Sequence, residues 1–210
     1  MEPHHRYGRS EVVDRAAALL DEYGIADLTM RRLARELGLT PGALYWHFAD
    51  KQELLGAVAD RILEPAARPV ADTTWTRRIL AIGAALRDAL LSSTDGAELV
   101  SATFASGRSA VLGRIVAQLI DAAGGAGFGP GTAELAARTV VYYVLGFTAD
   151  EQSRLQWDAA GALSDTQSVW DSDPNGRFAF GLGLLVDGMA AQRQSGTEDG
   201  VDAGVAIPSA

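Results

Sequence analysis

The residues best suited to specific hydrogen bonding are concentrated between positions 29 and 55, in the stretch TMRRLARELGLTPGALYWHFADKQELL. Guanidinium groups can bind the O6 and N7 acceptors of guanine, and an alanine methyl group can contact the thymine methyl group. Hydroxyl, imidazole and ammonium groups can bind phosphate oxygens, which fixes the register of a protein on a duplex. The residue types in this stretch therefore indicate binding of double-stranded DNA.

Two short helices joined by a tight turn are predicted to position these groups. Thr29 can cap the start of the first helix, because its hydroxyl can accept a backbone N–H that has no partner within the helix. Leu33, Ala34 and Leu37 recur at helical spacing and are predicted to face a core. Gly38 follows them and can end the helix in the left-handed conformation.

The second helix is predicted over residues 41–48. Thr40 is expected to cap it, and Pro41 fits its first turn because no N–H is needed there. Leu44 and Phe48 lie four residues apart and are expected to turn inward. The aromatic residues between them are therefore left to face outward.

A third helix is predicted to begin at Lys51, the only lysine of the chain. Asp50 and Glu53 have the spacing of a capping box at its start. This layout is typical of a helix-turn-helix, in which Arg31 is the best candidate for a bidentate guanine contact. The residues predicted to contact DNA are Thr29, Arg31, Thr40, Pro41, Gly42, Ala43, Tyr45, Trp46, His47 and Lys51.

The same stretch carries the pattern L-T-x-R-x-L-A-x-x-L-G-x-x-x-x-x-L-Y-x-H-F-x-x-K-x-x-L. This pattern resembles the DNA-binding signature of the tetracycline-repressor (TetR) family, in which an earlier helix, here residues 10–23, packs across the pair. The alternative is an ordinary three-helix packing unit with incidental charges. The resemblance implies an all-α fold, with an N-terminal three-helix helix-turn-helix domain at 1–60 and a C-terminal helical ligand-binding and dimerisation domain at 61–194. A disordered tail is predicted over 195–210.

The chain beyond the DNA-binding domain is predicted to form helices broken by turns, with no strand pattern of useful length. The helices are predicted over residues 75–92, 97–104, 110–123, 132–155 and 176–194, with connectors at 124–131 and 160–175. This order resembles the regulatory domain of the tetracycline repressors themselves. The matching positions are Trp75, 89–92, 95–97, 127–128, 145–146 and 180–182.

The resemblance implies a homodimer, in which the long helix and the last helix pair with their symmetry mates as a four-helix bundle. Gly181, Gly183 and Gly188 would allow the helices to approach closely. The alternative is that these helices form internal core, but helix-turn-helix proteins usually match a two-fold operator, which favours the dimer. The residues proposed for the bundle are Val140, Val141, Val144, Phe147, Phe178, Leu182, Leu185, Val186 and Met189.

Regulators of the resembled family release DNA when a small molecule enters the second domain, and such pockets are mostly apolar. The candidate ligand-binding residues are Ile82, Leu86, Val100, Phe104, Ile115, Tyr142, Phe147 and Trp170. The tetracycline repressors hold a magnesium–drug chelate with histidines and an asparagine, whereas this chain has Glu64, Ile82 and Val100 at those positions. Asp150 and Glu151 keep acidic character near the family's metal-linked carboxylate. The expected effector is a small apolar molecule that is not a magnesium–tetracycline chelate.

Composition restricts the other functions that this chain could have. It has no cysteine, which excludes disulfides and thiolate metal sites. The sequence lacks a signal-peptide pattern and its apolar stretches are too short to span a bilayer, so we expect a cytoplasmic protein without a membrane partner. The net charge is −9, but residues 1–51 carry seven basic and eight acidic side chains. The acidic surplus therefore lies mainly outside the DNA-binding domain and does not oppose DNA binding.

Patterns for other chemistry are weak. Residues 171–176 match the first half of a calcium-binding loop, but Leu182 stands where that loop requires a bidentate glutamate. The glycine-rich stretch 124–131 follows a helix and not a strand, which does not support a dinucleotide site. No metal, cofactor or enzymatic activity is expected. The main alternative is a helical enzyme or small-molecule carrier that retains the fold without DNA regulation, and a further one is an activator with the same DNA-binding domain.

Overall fold

The computed structural model describes residues 7–71, 74–163 and 173–198, in which every regular element is helical, as predicted. The helices are α1 (Arg9–Tyr23), α2 (Met30–Glu36), α3 (Pro41–Leu44), α4 (Lys51–Leu63), α5 (Trp75–Leu91), α6 (Gly96–Ser106), α7 (Ala110–Gly125), α8 (Pro130–Ala159) and α9 (Pro174–Glu198), with a 3-10 turn at Glu64–Ala67. None of the described helices has the length and apolar character needed to cross a membrane.

Helices α6 to α9 all extend beyond their predicted bounds, and the difference is largest for α8 and α9. Helix α8 starts at Pro130, which fits a first turn, and continues to Ala159. Helix α9 continues to Glu198, into the segment predicted as a tail. Residues 199–210 lie outside the described residues, and so does most of the predicted connector 160–175.

The N-terminal head, formed by α1 to α4, is shaped by local hydrogen bonds that the sequence predicts. The Thr29 hydroxyl oxygen accepts a hydrogen bond from the Arg32 N–H at 3.1 Å and so caps α2. Gly38 follows α2 with a φ of 64°, the left-handed conformation expected at that position. Leu33, Ala34 and Leu37 are buried in the head.

Helix α3 is shorter than predicted. It ends at Leu44 and not at Phe48, because the N–H groups of His47 and Phe48 both donate to the Leu44 carbonyl and tighten the turn that follows. The prediction that the Thr40 side chain caps this helix is wrong, since that side chain makes no capping hydrogen bond. The Thr40 carbonyl accepts the N–H of Ala43 instead, so the helix starts on backbone contacts.

The cap of α4 follows the prediction in part. Asp50 Oδ1 accepts the Glu53 N–H at 2.7 Å, as the capping-box spacing predicts. The return bond differs, because Glu53 Oε2 accepts the N–H of Ala49 at 2.7 Å, one residue before the cap. The carboxylate of Glu53 therefore fixes the turn that joins α3 to α4.

The C-terminal half, formed by α5 to α9, is arranged around α5, which packs against α7, α8 and α9. The predicted apolar stripe of α5, including Ile79, Ile82 and Leu86, is buried. Most of the residues expected at a dimer interface are also buried within this single chain and form internal core, the alternative that the sequence left open. These buried residues are Val140, Val141, Val144, Phe178, Leu182 and Val186.

A buried ion pair joins α5 to α8 inside this core. The Arg87 guanidinium donates to both carboxylate oxygens of Glu151, at 2.9 Å and 2.6 Å. It also donates to Asn175 at the start of α9, at 2.8 Å, and lies 4.9 Å from the centroid of the Phe178 ring. Arg87 thus bonds both to Glu151 on α8 and to Asn175 in the first turn of α9. These bonds together fix where α9 begins.

Helix α4 connects the head to the C-terminal half. Asp60 of α4 accepts the Ser109 hydroxyl at 2.6 Å and the Val111 N–H at 2.9 Å, at the start of α7. One turn earlier in α4, Gly56 lies directly against the Arg108 carbonyl, where an added Cβ would overlap the carbonyl oxygen. The two halves therefore meet backbone to backbone at this point.

A second contact between the halves involves the end of α1 and the residues just after it. Asp95 adopts a φ of 53° just before α6 and accepts the Ile25 N–H at 2.9 Å. Next to it, Thr94 bonds to Asp21 at the end of α1, at 3.0 Å. The head is consequently held at two separated points, which restricts how it can rotate.

The Gly56 contact predicts opposite effects for two helical glycines. Gly56→Ala should lower the free energy of unfolding by about 1–3 kcal/mol, because its Cβ meets a backbone atom that cannot move aside. Gly113→Ala in α7, where an added Cβ meets nothing within 4 Å, should raise it by about 0.5–1 kcal/mol. Chemical denaturation measures both, and equal stabilisation by the two substitutions would contradict the Gly56 contact.

Candidate functional site

The turn after α3, residues 45–49, presents aromatic side chains to solvent. Trp46 is 90% exposed and Tyr45 is 53% exposed, whereas Leu44 and Phe48 on either side are buried. Large exposed aromatic residues that pack against nothing mark a contact surface. The remaining residues predicted to contact DNA are exposed or partly exposed, so the head brings the whole predicted set to its surface. They are Thr29, Arg31, Thr40, Pro41, Gly42, Ala43, His47 and Lys51.

The arginines of the head differ in how far they are already engaged. Arg32 donates to Asp27 at 2.6 Å and lies over the Tyr23 ring, 3.6 Å from its centroid. Arg31 and Lys51 make no ion pair with any residue in the described part of the chain. These two cations are therefore available to an external anion, whereas Arg32 serves within the head.

Arg9 is a positioning residue that the sequence does not reveal. Its guanidinium donates to the His47 carbonyl and to Glu53 at 2.9 Å, and lies 4.2 Å from the centroid of the Phe48 ring. The N–H of Ala49 and the Arg9 guanidinium together hold the pKa of Glu53 below its usual value. Arg9 therefore fixes the turn that carries the exposed aromatic residues. No spacing rule could have indicated this contact, because Arg9 and His47 are far apart in sequence.

The residues predicted to bind a ligand occupy different places in the described part of the chain. Ile82, Leu86, Val100 and Ile115 are fully buried in the core, with at most 1% of their surface exposed. Phe147 belongs to α8 and packs against Phe178 of α9, with ring centroids 5.4 Å apart. Trp170 lies outside the described residues.

Phe104 and Tyr142 do meet, in a groove between α6 and α8 of about 450 Å³. Their ring centroids are 5.5 Å apart in an edge-to-face arrangement. Arg138 lies at the same place, 5.6 Å from the Phe104 centroid, with its Nε donating to Glu134 at 3.0 Å. This α6–α8 groove is lined by Ser101, Phe104, Ala105, Arg138, Tyr142, Leu145 and Gly146.

A second cavity, of about 360 Å³, lies between α8 and α9. Its lining is mostly apolar, and Leu135 and Leu184 on its rim are 67% and 57% exposed. Phe180, also on α9, is 70% exposed. The two helices thus present an apolar face to solvent, formed by residues other than those buried within the chain.

The positions predicted to correspond to the metal-chelate ligands carry neither imidazole nor amide groups. Glu64 pairs with Arg114 at 2.8 Å, and Ile82 and Val100 are buried apolar side chains. The two acids on α8 are both engaged, Glu151 with Arg87 and Asp150 with Arg154 at 2.9 Å. Within the described residues no cluster of three or more histidine, aspartate or glutamate side chains could hold a metal ion.

Comparison with solved structures identifies close relatives of the whole fold. The crystal structure of Mycobacterium smegmatis BioQ superposes with a TM-score of 0.83 at 61% identity, over 89% of this chain and 99% of that one. A structure of BioQ with its natural double-stranded DNA operator matches with a TM-score of 0.77 at 58% identity, over 89% of this chain and 99% of that one. A relative that is more than half identical to this chain has thus been solved in complex with its own DNA operator.

Sequence comparison covers both halves of the chain. Residues 12–58 match the family of bacterial regulatory proteins called tetR, and residues 68–166 match the tetracyclin repressor-like C-terminal domain. The class A tetracycline repressor of transposon 1721 from Escherichia coli is 30% identical over 197 residues, which cover 87% of this chain and 90% of that protein. The predicted resemblance is confirmed, and the chain belongs to the TetR family of helix-turn-helix transcriptional regulators.

Proposed function

We propose that the chain is a ligand-responsive repressor that binds a palindromic operator as a homodimer. The observation that carries this proposal is the exposed aromatic turn after α3, beside Arg31 and Lys51, which have no ion pair among the described residues. The operator complex of a relative at 58% identity supports the same use of the head. The effector that releases DNA is a small, largely apolar molecule other than a magnesium–tetracycline chelate.

The roles of the head follow from the chemistry of its exposed groups. Gly42 and Ala43 at the start of α3 allow a close approach to base edges in the major groove, and Arg31 on α2 reads a guanine. Tyr45, His47 and Lys51 bind flanking phosphates. Because the described residues of the head leave only some of its cations without an ion pair, the affinity for non-specific DNA is expected to be low, with base contacts contributing more.

The homodimer is proposed to form through the apolar face of α8 and α9. Leu135, Phe180 and Leu184 are exposed there although each is a large apolar side chain. A two-fold pairing of this face would cover them and place two recognition helices about 34–36 Å apart, one turn of DNA.

Release of the operator is proposed to be a population shift. Helix α4 carries Lys51 at its start and is held to the start of α7 through Asp60. A movement of the α6–α7 turn, residues 107–109, would therefore shift the head. An effector that binds the shifted geometry more tightly lowers the population that fits the operator. The Arg108 guanidinium lies 3.6 Å from the Asp50 carboxylate at the start of α4, which adds a second link between the α6–α7 turn and α4.

The proposal is tested on the DNA beside the protein's own gene. Full-length protein should retard a fragment that contains a palindrome, with an affinity that falls steeply as salt rises, and should lower expression of a reporter placed behind it. A rise in reporter expression would instead identify an activator. Absence of sequence-selective binding at every neighbouring palindrome would favour the helical enzyme or carrier.

Substitution of Arg31 and substitution of Lys51 should change DNA binding in different ways. Arg31→Ala should weaken operator binding by about 1–3 kcal/mol and relax the sequence preference at one base pair. Lys51→Ala should weaken binding to all sequences and lower the salt slope by about one. Arg32→Ala is the matched control for base reading, because its guanidinium is engaged by Asp27. Fluorescence anisotropy with single-base operator variants measures all three, and equal weakening on every sequence by Arg31→Ala would remove its base-reading role.

Substitution on the α8–α9 face should separate the two chains. Leu184→Glu places a charge at the centre of the proposed interface, so both the mass in solution and the operator affinity should fall. Leu155→Glu is the control, because Leu155 is similarly exposed but lies toward the head on the other side of α8. Light scattering measures the mass, and a dimer unchanged by Leu184→Glu would place the interface elsewhere.

Tetracycline should not act as the effector. Glu64, Ile82 and Val100 supply neither imidazole nor amide for a magnesium chelate, so calorimetry with tetracycline and magnesium should give no tight binding. The class A tetracycline repressor serves as a positive control in the same buffer. Tight binding that depends on magnesium would overturn this part of the proposal.

A further inference from the structure

The α6–α8 groove combines an apolar body with a single charged group. Phe104 and Tyr142 form its wall, and Leu145, Ala105 and Gly146 add small or apolar surface. Its volume of about 450 Å³ lies in the range of small-molecule sites. A Cβ added at Gly146 would meet nothing within 4 Å, so the groove is open beside this residue.

Among the described residues that line the groove, Arg138 is the only charged one, and it favours a ligand with a negative charge. Its Nε donates to Glu134, and its guanidinium lies 5.6 Å from the centroid of the Phe104 ring. A guanidinium has five N–H donors, so these partners leave donors for a carboxylate. The pair with Glu134 is a half-exposed i,i+4 contact, which is worth little and is readily exchanged.

We propose that the α6–α8 groove binds an amphipathic carboxylate, with its apolar part against Phe104 and Tyr142 and its anionic group on Arg138. The ligand class is thus a small organic acid whose body is apolar. Bidentate pairing of guanidinium and carboxylate gives the orientation, and the aromatic wall gives the buried area. None of these residues replaces the chelate ligands of the tetracycline repressors.

A ligand in the groove would contact α6, which packs against α4 of the head. Ser101, Phe104 and Ala105 belong to the second half of α6, and the next turn of the chain leads to Arg108, whose carbonyl packs on Gly56. A ligand wedged between α6 and α8 would therefore displace the α6–α7 turn against α4. This consequence rests on the proposed function, whereas binding of the acid does not.

The test compares two probes with the same apolar body, 3-phenylpropionate and 3-phenyl-1-propanol, titrated into the full-length protein by calorimetry. The acid should bind about ten-fold or more tightly than the alcohol, since one charge-assisted contact distinguishes them. Arg138→Gln should remove that difference. Arg114→Gln is the matched control, because its guanidinium pairs with Glu64 outside the groove and the preference for the acid should persist.

A second variant tests the location of the site. Gly146→Leu should fill the groove and abolish binding of both probes, and circular dichroism verifies that the helices are retained. Three results would each overturn the inference: equal affinity for acid and alcohol, a preference that survives Arg138→Gln, or no binding of either probe at about 10 mM. That concentration would occupy most of a site with a Kd of about 1 mM. Operator binding without probe is measured separately, so failure of the groove and failure of the proposed regulator give different results.

Discussion

The contact between α4 and the α6–α7 turn is the constraint on which the rest of the structure depends. Gly56 brings the backbone of α4 against the Arg108 carbonyl, and Asp60 caps the start of α7 from the same helix. No flexible side chain lies between the two backbones at Gly56, so a shift on one side cannot be absorbed locally. Packed interfaces of this kind move between discrete arrangements instead of deforming continuously. The position of the head is therefore set by the C-terminal half.

Charge in the head is used mainly for structure. Arg9 fixes the turn after α3 and Arg32 is held by Asp27, so both guanidinium groups are engaged within the head. The chain as a whole has a net charge of −9. Under the proposed function, such a regulator would gain little from non-specific attraction to phosphates and would depend on correct placement of a few base-reading groups. That dependence explains why the turn after α3 is held by several contacts at once.

Local rules predicted much of the head, and tertiary contacts account for what they missed. The Thr29 cap and the Gly38 turn each depend on a few neighbouring residues, which the sequence contains. The length of α3 depends on a hydrogen-bond arrangement at Leu44 that is supported by the distant Arg9.

In α8 and α9 the apolar spacing predicts helices but does not say which apolar face the chain covers itself. Arg138 was not predicted as a ligand-binding residue, because an i,i+4 pair such as the one with Glu134 is common on solvated helices.

The mass of the complex with an operator duplex tests the central claim most directly. Size-exclusion chromatography with light scattering would be run on the full-length protein with a palindromic duplex from the DNA beside its gene, at low and high salt. We expect two chains per duplex at low salt, with dissociation as salt rises and no complex on a scrambled duplex of equal length. One chain per duplex, or equal binding to the scrambled sequence, would contradict a dimeric operator-binding regulator.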